Sequence, residues 1–343
     1  MIQRCLIPLF VLMMGCASSA PRLHLFVWSE YIPPEIITGF EKQFHCTVAV
    51  DLYEDPDSMV AKLAAGGTDV YDIVIPSDTT LPGMVQRGLL APLRRENIPN
   101  LDRVDPRFAS QEFDRSNRFS APIQWGTVGI FLRRPTAGQL PDESWSAVFD
   151  PAKQPGPFLL MEDIRACIGA ALRYKGYSMN TTNRLELAEA RDLLIQAKKR
   201  SLGFEGGTGC KNRVLSGDAA LAMAYNGDAA RGMREDGQTY FFVPKEGSQI
   251  WVDVLSIPAK APHRDLAEKF INYLLEPQIS ARLSNHNRLA TTNREALPLI
   301  DPADRDNPAI YPPPEVIARL DYSPDLGRQN SLYDDLWTEI KSR

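Results

Sequence analysis

Catalytic signatures are what this chain lacks most plainly. It has no H-E-x-x-H, no nucleophile elbow, no P-loop and no glycine-rich dinucleotide turn after its first strand. Histidine is scarce: His24, His45, His263 and His286 are scattered, with no spacing that would hold a metal. An enzyme therefore has no recognisable centre here, and neither a cofactor nor a metal is expected. Positive charge is also in deficit, with 38 Lys and Arg against 43 Asp and Glu and a formal net charge of -5. A nucleic-acid partner would need a basic face, so none is expected. Cysteine is sparse as well. Cys5 and Cys16 belong to the N-terminal leader, and Cys46, Cys167 and Cys210 are three widely spaced residues without a ligand pattern. One disulfide and three buried free thiols both fit that count. No internal repeat or low-complexity tract occurs.

The apolar run near the start is too short to span a membrane and has the build of a secretory signal, with Arg4 before it and Gly15-Cys16 at its end. The sequence "LMMGCASS" resembles a bacterial lipoprotein signal, in which Cys16 would be lipidated and become the first mature residue. Cleavage after "SSA" is the alternative. Residues 1–15 are then the signal and 16–22 a tether. The mature chain is expected outside the cytoplasm, in the periplasm or held to a bacterial membrane by its lipid.

The remaining composition, 44% hydrophobic and 24% charged, is that of a globular protein long enough for two domains. "LHLFVW", "CTVAVDLYE" and "YDIVIPS" predict strands, with helices between them. Pro33 and Pro34 suit the start of the first helix, and Asp57 or Ser58 the cap of the second. Such alternation predicts an α/β fold with a mainly parallel sheet. In sheets of that kind, ligands sit beyond the carboxyl ends of the strands. Trp28, Ser29, Glu30 and Tyr31 follow the first strand there, and Ser77 and Asp78 follow the third.

Later strands repeat the theme of an aromatic close to an acid. In "IWVDVL", Trp251 and Asp253 share one strand face, while Ile250, Val252 and Val254 take the other. Tyr225 precedes Asp228 in "AYNGDAARG", where Asn-Gly-Asp also reads as a turn with Asp228 as a helix cap. Asp163 stands before a helix and has the same two readings. Aromatic walls with carboxylates suit a flexible aliphatic amine. Acids pair with its ammonium ends, and Trp and Tyr faces cover its methylenes.

"FVWSEYIPP", "YDIVIPS", "IQWGTVGI", "ALRYKGYSMNTT" and "WVDVLSIPA" resemble the spermidine/putrescine-binding proteins of bacterial ABC importers. The resemblance runs from about Leu23 to the C-terminus. It implies a two-lobed periplasmic-binding fold of type II, each lobe a mainly parallel sheet flanked by helices, with the ligand in the cleft between them. The lobes expected are residues 23–122 with 258–300, and 123–257 with 301–343. It also implies a monomeric binder of putrescine or spermidine that serves an ABC permease. The ligand-binding set carried over is Trp28, Ser29, Glu30, Tyr31, Ser77, Asp78, Asp163, Tyr225, Asp228, Trp251 and Asp253. Asp228 matches an acid of putrescine-type members. Ala166 stands where spermidine-type members hold an acid, and Leu289 where an aromatic is usual. These departures leave open another small cationic or amino-acid-like solute.

Overall fold

The computed structural model describes residues 20–29, 31–53, 55–134 and 141–343. Cys16 and Glu30 lie outside the described residues. Among the described residues, twelve strands form the frame: β1 (Arg22–Trp28), β2 (Thr47–Tyr53), β3 (Ile73–Val74), β4 (Leu90–Ala91), β5 (Ser120–Arg133), β6 (Phe158–Met161), β7 (Phe204–Glu205), β8 (Leu221–Tyr225), β9 (Thr239–Phe242), β10 (Ser248–Pro258), β11 (Ala290–Thr291) and β12 (Leu320–Asp321). Their main hydrogen-bonded path is β2-β1-β3-β10-β5-β8-β6-β7.

β1 shows why the alternation reads correctly from the sequence. Leu23, Leu25, Phe26 and Val27 are all buried, as expected for a strand covered on both faces. It pairs in parallel with β2 on one side and β3 on the other. The mirror arrangement, β8-β6-β7, is also parallel throughout. The centre departs from the mainly parallel expectation. β10 runs antiparallel to both β3 and β5, and β5 antiparallel to β8. Two long strands carry the chain across the middle in opposite directions, so their pairing cannot be parallel. β5 has 14 residues and is buried in all but its last.

The apolar side chains divide into two main clusters. One holds Leu25, Ile73, Phe40, Trp125, Val254 and Phe270, and the other Val128, Leu160, Ile168, Leu194 and Met223. Membership changes within β5, between Trp125 and Val128, while β10 serves both clusters: Ile250, Val252, Val254, Leu255 and Ile257 belong to the first and Trp251 packs against the second. Gly126 sits at this changeover. A Cβ there would run into the Trp251 indole and the Asn226 amide, so only glycine lets the two strands approach with a tryptophan between them.

Local details correct one further expectation and decide between two readings that the sequence leaves open. The second helix, Pro56–Ala64, is capped by Asp55, whose carboxylate accepts from Ser58 N at 2.8 Å. Pro56 takes the first helical position, which makes its predecessor the cap in place of Asp57 or Ser58. Cys46, Cys167 and Cys210 are buried free thiols, each in a different apolar cluster. No described helix is long and apolar enough to cross a membrane.

Candidate functional site

The carboxyl ends of β1 and β3 on one side, and of β6 and β8 on the other, open onto one cavity of about 670 Å³. It lies within the size range typical of small-molecule sites. Each wall follows from its strand. β1 ends in Trp28, and Ser29 and Tyr31 continue from it into the lining. β3 leads through Pro76 to Ser77 and Asp78, which pair with β10: Asp78 N donates to Val252 O at 2.8 Å and Val254 N to Pro76 O at 3.0 Å. Val252 N in turn donates to Asp78 Oδ1 at 3.0 Å. Trp251 and Asp253 line the cavity from β10, as strand alternation requires. From the other side come Asp163 after β6, Tyr225 at the end of β8, and Asp228 in the helix Asn226–Glu235. The structure thus gathers ten of the eleven predicted residues, with Glu30 undescribed. Ala166 does not line the cavity; it packs in the second apolar cluster.

The aromatic walls pack in pairs. Trp28 lies against Tyr53 with ring centroids 4.5 Å apart, and Tyr225 meets Trp251 edge-on at 6.0 Å. Trp28 is half-buried and Tyr31 buried, so neither is the exposed aromatic that a strand tip suggests.

The four carboxylates are in different electrostatic states. Asp163 is doubly engaged: Oδ1 caps the helix Ile164–Tyr174 by accepting from Ala166 N at 2.8 Å, and Oδ2 accepts from Tyr225 OH at 2.5 Å. It is therefore both the cap and a cavity residue. Asp228 does not cap its helix. It forms an ion pair with Arg231 one turn on, at 2.6 Å. Asp78 is 2% exposed, and burial lifts its carboxyl to about 7, with the charge of Asp253 adding to the rise. Asp253 is 8% exposed and accepts one hydrogen bond, from Tyr31 OH at 2.9 Å. No cation faces it among the described residues, and burial pushes its carboxyl up to about 7. A buried carboxyl held so high and aimed into a cavity is poised to take a cation.

Sequence reasoning does not single out Arg231, Gln249 or Asn287, which also line the cavity. Arg231 stands three residues after Asp228, a spacing at which helix side chains meet. Gln249 shares the strand face of Trp251 and Asp253 by period two. Asn287 carries no local signal. Its Nδ2 donates to Tyr31 O at 3.0 Å and Gln124 Oε1 at 2.7 Å, pinning the backbone of the tyrosine that contacts Asp253. Arg231 reaches the carbonyl of Asn287 at 3.2 Å, joining the two sides of the cavity. Among the described residues, no cluster of His, Cys, Asp and Glu could hold a metal ion.

Comparison with known proteins places this architecture. A family model for bacterial extracellular solute-binding proteins matches residues 35–310. The putrescine/cadaverine-binding protein of Pseudomonas aeruginosa is 31% identical over 95% of each chain. The solved spermidine/putrescine ABC transporter substrate-binding protein of Streptococcus pneumoniae superposes with a TM-score of 0.85 at 27% identity, covering 94% of this chain and 99% of that one. The Tp0655 lipoprotein of Treponema pallidum gives 0.81 at 27% identity, covering 94% and 100%.

Proposed function

Because this chain belongs to the bacterial extracellular solute-binding proteins, which are binding proteins and not enzymes, we propose that it delivers an aliphatic diamine, putrescine first, to an ABC permease. The observation that carries this reading is Asp253: a buried carboxyl with no counter-charge among the described residues, lining a cavity with aromatic walls. One ammonium pairs with Asp253, and the methylenes lie against Trp28 and Trp251. A cation against an aromatic face gains roughly 0.5 to 2 kcal/mol. Ser29 and Ser77 offer neutral oxygens. Asp163 and Asp228 add negative potential, although Tyr225 and Arg231 already engage them. Among the described residues, a third ammonium would find no unengaged acid beyond Asp253, so putrescine is expected to bind at least as tightly as spermidine. The names of the relatives above agree with this solute class. In this reading the two apolar cores are lobes that close on the solute.

A second reading, an amino-acid-like solute, draws on Arg231, whose guanidinium could meet a carboxylate. Calorimetric titration with putrescine, spermidine and 4-aminobutyrate at one pH and salt separates the two. Saturable binding of putrescine with none of 4-aminobutyrate supports the diamine. The reverse order would overturn it.

The lipid anchor at Cys16 belongs to the same proposal and rests on "LMMGCASS". Metabolic labelling with a palmitate analogue is expected to mark the wild-type chain and not Cys16→Ser. Label retained in the serine variant would place the lipid elsewhere.

A further inference from the structure

β10 presents a third side chain to the cavity, and the diamine reading makes no use of it. Gln249 is 5% exposed and lines the cavity, yet its Oε1 has no hydrogen-bond partner. Its side chain makes no hydrogen bond to any described residue, while Asp78, Asp163, Asp228 and Asp253 each make at least one. We infer that Gln249 forms a far subsite for an uncharged amide, so that the cavity takes a mono-N-acylated diamine as well as the free diamine. The inference rests on the amine reading above.

Strand geometry sets the distance. Gln249, Trp251 and Asp253 alternate along one face, so the outer two Cα atoms are about 13 Å apart. An extended four-carbon diamine spans about 6 Å between its nitrogens at ordinary bond lengths. With one ammonium on Asp253, the second nitrogen falls near Trp251, short of Gln249. Among the described residues, the other carboxylates of the cavity, Asp78, Asp163 and Asp228, already hold partners. Acylating that nitrogen removes a charge that would be buried without a free counter-ion, a costly arrangement. It also extends the ligand toward Gln249, whose longer side chain can lean back to meet it.

The chemistry of the two groups matches. An amide offers one donor and one acceptor, and so does the Gln249 carboxamide, which can accept through Oε1 and donate through Nε2. An ammonium could use only the oxygen. Space is sufficient. At roughly 30 Å³ per water-sized group, the six heavy atoms of putrescine occupy about 180 Å³, a minor part of the 670 Å³ cavity.

Isothermal titration calorimetry with N-acetylputrescine and putrescine tests the assignment on the wild-type protein and on Gln249→Leu. Wild type is expected to bind N-acetylputrescine saturably. The leucine variant should lose at least tenfold in affinity for it, with putrescine changed less than threefold. Retained putrescine binding also shows that the variant is folded. Gln249→Glu, which places a charge at the far end, should shift preference from N-acetylputrescine toward spermidine. Putrescine binding without N-acetylputrescine binding in the wild type would overturn the inference and leave the diamine reading standing. Equal losses for both ligands in Gln249→Leu would remove Gln249 from the far subsite. If neither amine binds the wild type, both readings fall together.

Discussion

Asp253→Asn is expected to weaken putrescine binding at least about thirtyfold while leaving the fold intact. The amide is isosteric with the carboxyl, and its oxygen can still accept the hydrogen bond that Tyr31 OH makes at 2.9 Å. What disappears is the charge. The ammonium would then be buried opposite a neutral group, and losing one partner of a buried, hydrogen-bonded charge pair costs about 2 to 5 kcal/mol. At 1.4 kcal/mol per factor of ten, the lower bound is roughly thirtyfold. Calorimetry on the purified variant gives the number directly. A loss smaller than about threefold would mean that the ammonium sits elsewhere. Asp78 offers the contrast. Its carboxylate is committed to Val252 N and is 2% exposed. Its substitution should act through the junction of β3 with β10 before it acts on the ligand.

Binding is also expected to strengthen as pH rises through about 7. Burial lifts the Asp253 carboxyl to about 7 in the free protein. A diamine keeps both charges over this range, as lysine-like amines titrate near 10. Below pH 7 the ligand must expel a proton to form its ion pair, at about tenfold in affinity per pH unit. Between pH 8 and pH 5 the expected drop is therefore about a hundredfold from this group alone. The groups coupled to it are acids and phenols: Tyr31 bonds to it, and Asp78, Tyr53 and Tyr225 sense its charge; the one cation coupled to this set among the described residues, Arg165, interacts with Asp78. Stability of the free protein should move the opposite way. A carboxyl raised in the folded state binds more protons folded than unfolded between about pH 4 and 7, so stability falls as pH rises across that window. Thermal melting should then show a ligand-induced shift that grows with pH, even as the free protein becomes less stable. In Asp253→Asn the Asp253 part of both trends vanishes. Putrescine affinity that stays flat from pH 5 to 8 would mean that Asp253 is already ionised in the free cavity.

The features legible in advance are those that depend on near neighbours in the chain. Apolar runs and alternation predict β1, β2 and β10, and period two puts Trp251 and Asp253 on one face without any structure. Aromatic and acidic residues at successive strand ends predict a cavity there, because parallel strands deliver their carboxyl ends to one edge. The same local logic supports Asp163 as a helix cap. It fails at Asp55 only because the proline that follows shifts the helix start by a residue or more. The same alternation places Gln249, two residues before Trp251, on the face of Trp251 and Asp253.

By itself, then, the sequence determined the α/β alternation, the edge of the sheet that carries the site, and the chemical character of that site. Tertiary structure decided which charges are spent and which are free. Asp228 and Asp253 look alike in the chain, but Arg231 pairs with the first, and among the described residues the second is met by a tyrosine hydroxyl and no cation. Three cysteines that could have paired on count alone are distributed over separate apolar clusters. Asn287 reaches Tyr31 across 256 residues of chain. A side chain's burial and its partner are set by segments far away in sequence, and electrostatic strength depends on both. Composition and spacing can therefore identify the acids of a site, but only the packed chain determines which of them remains available to a ligand.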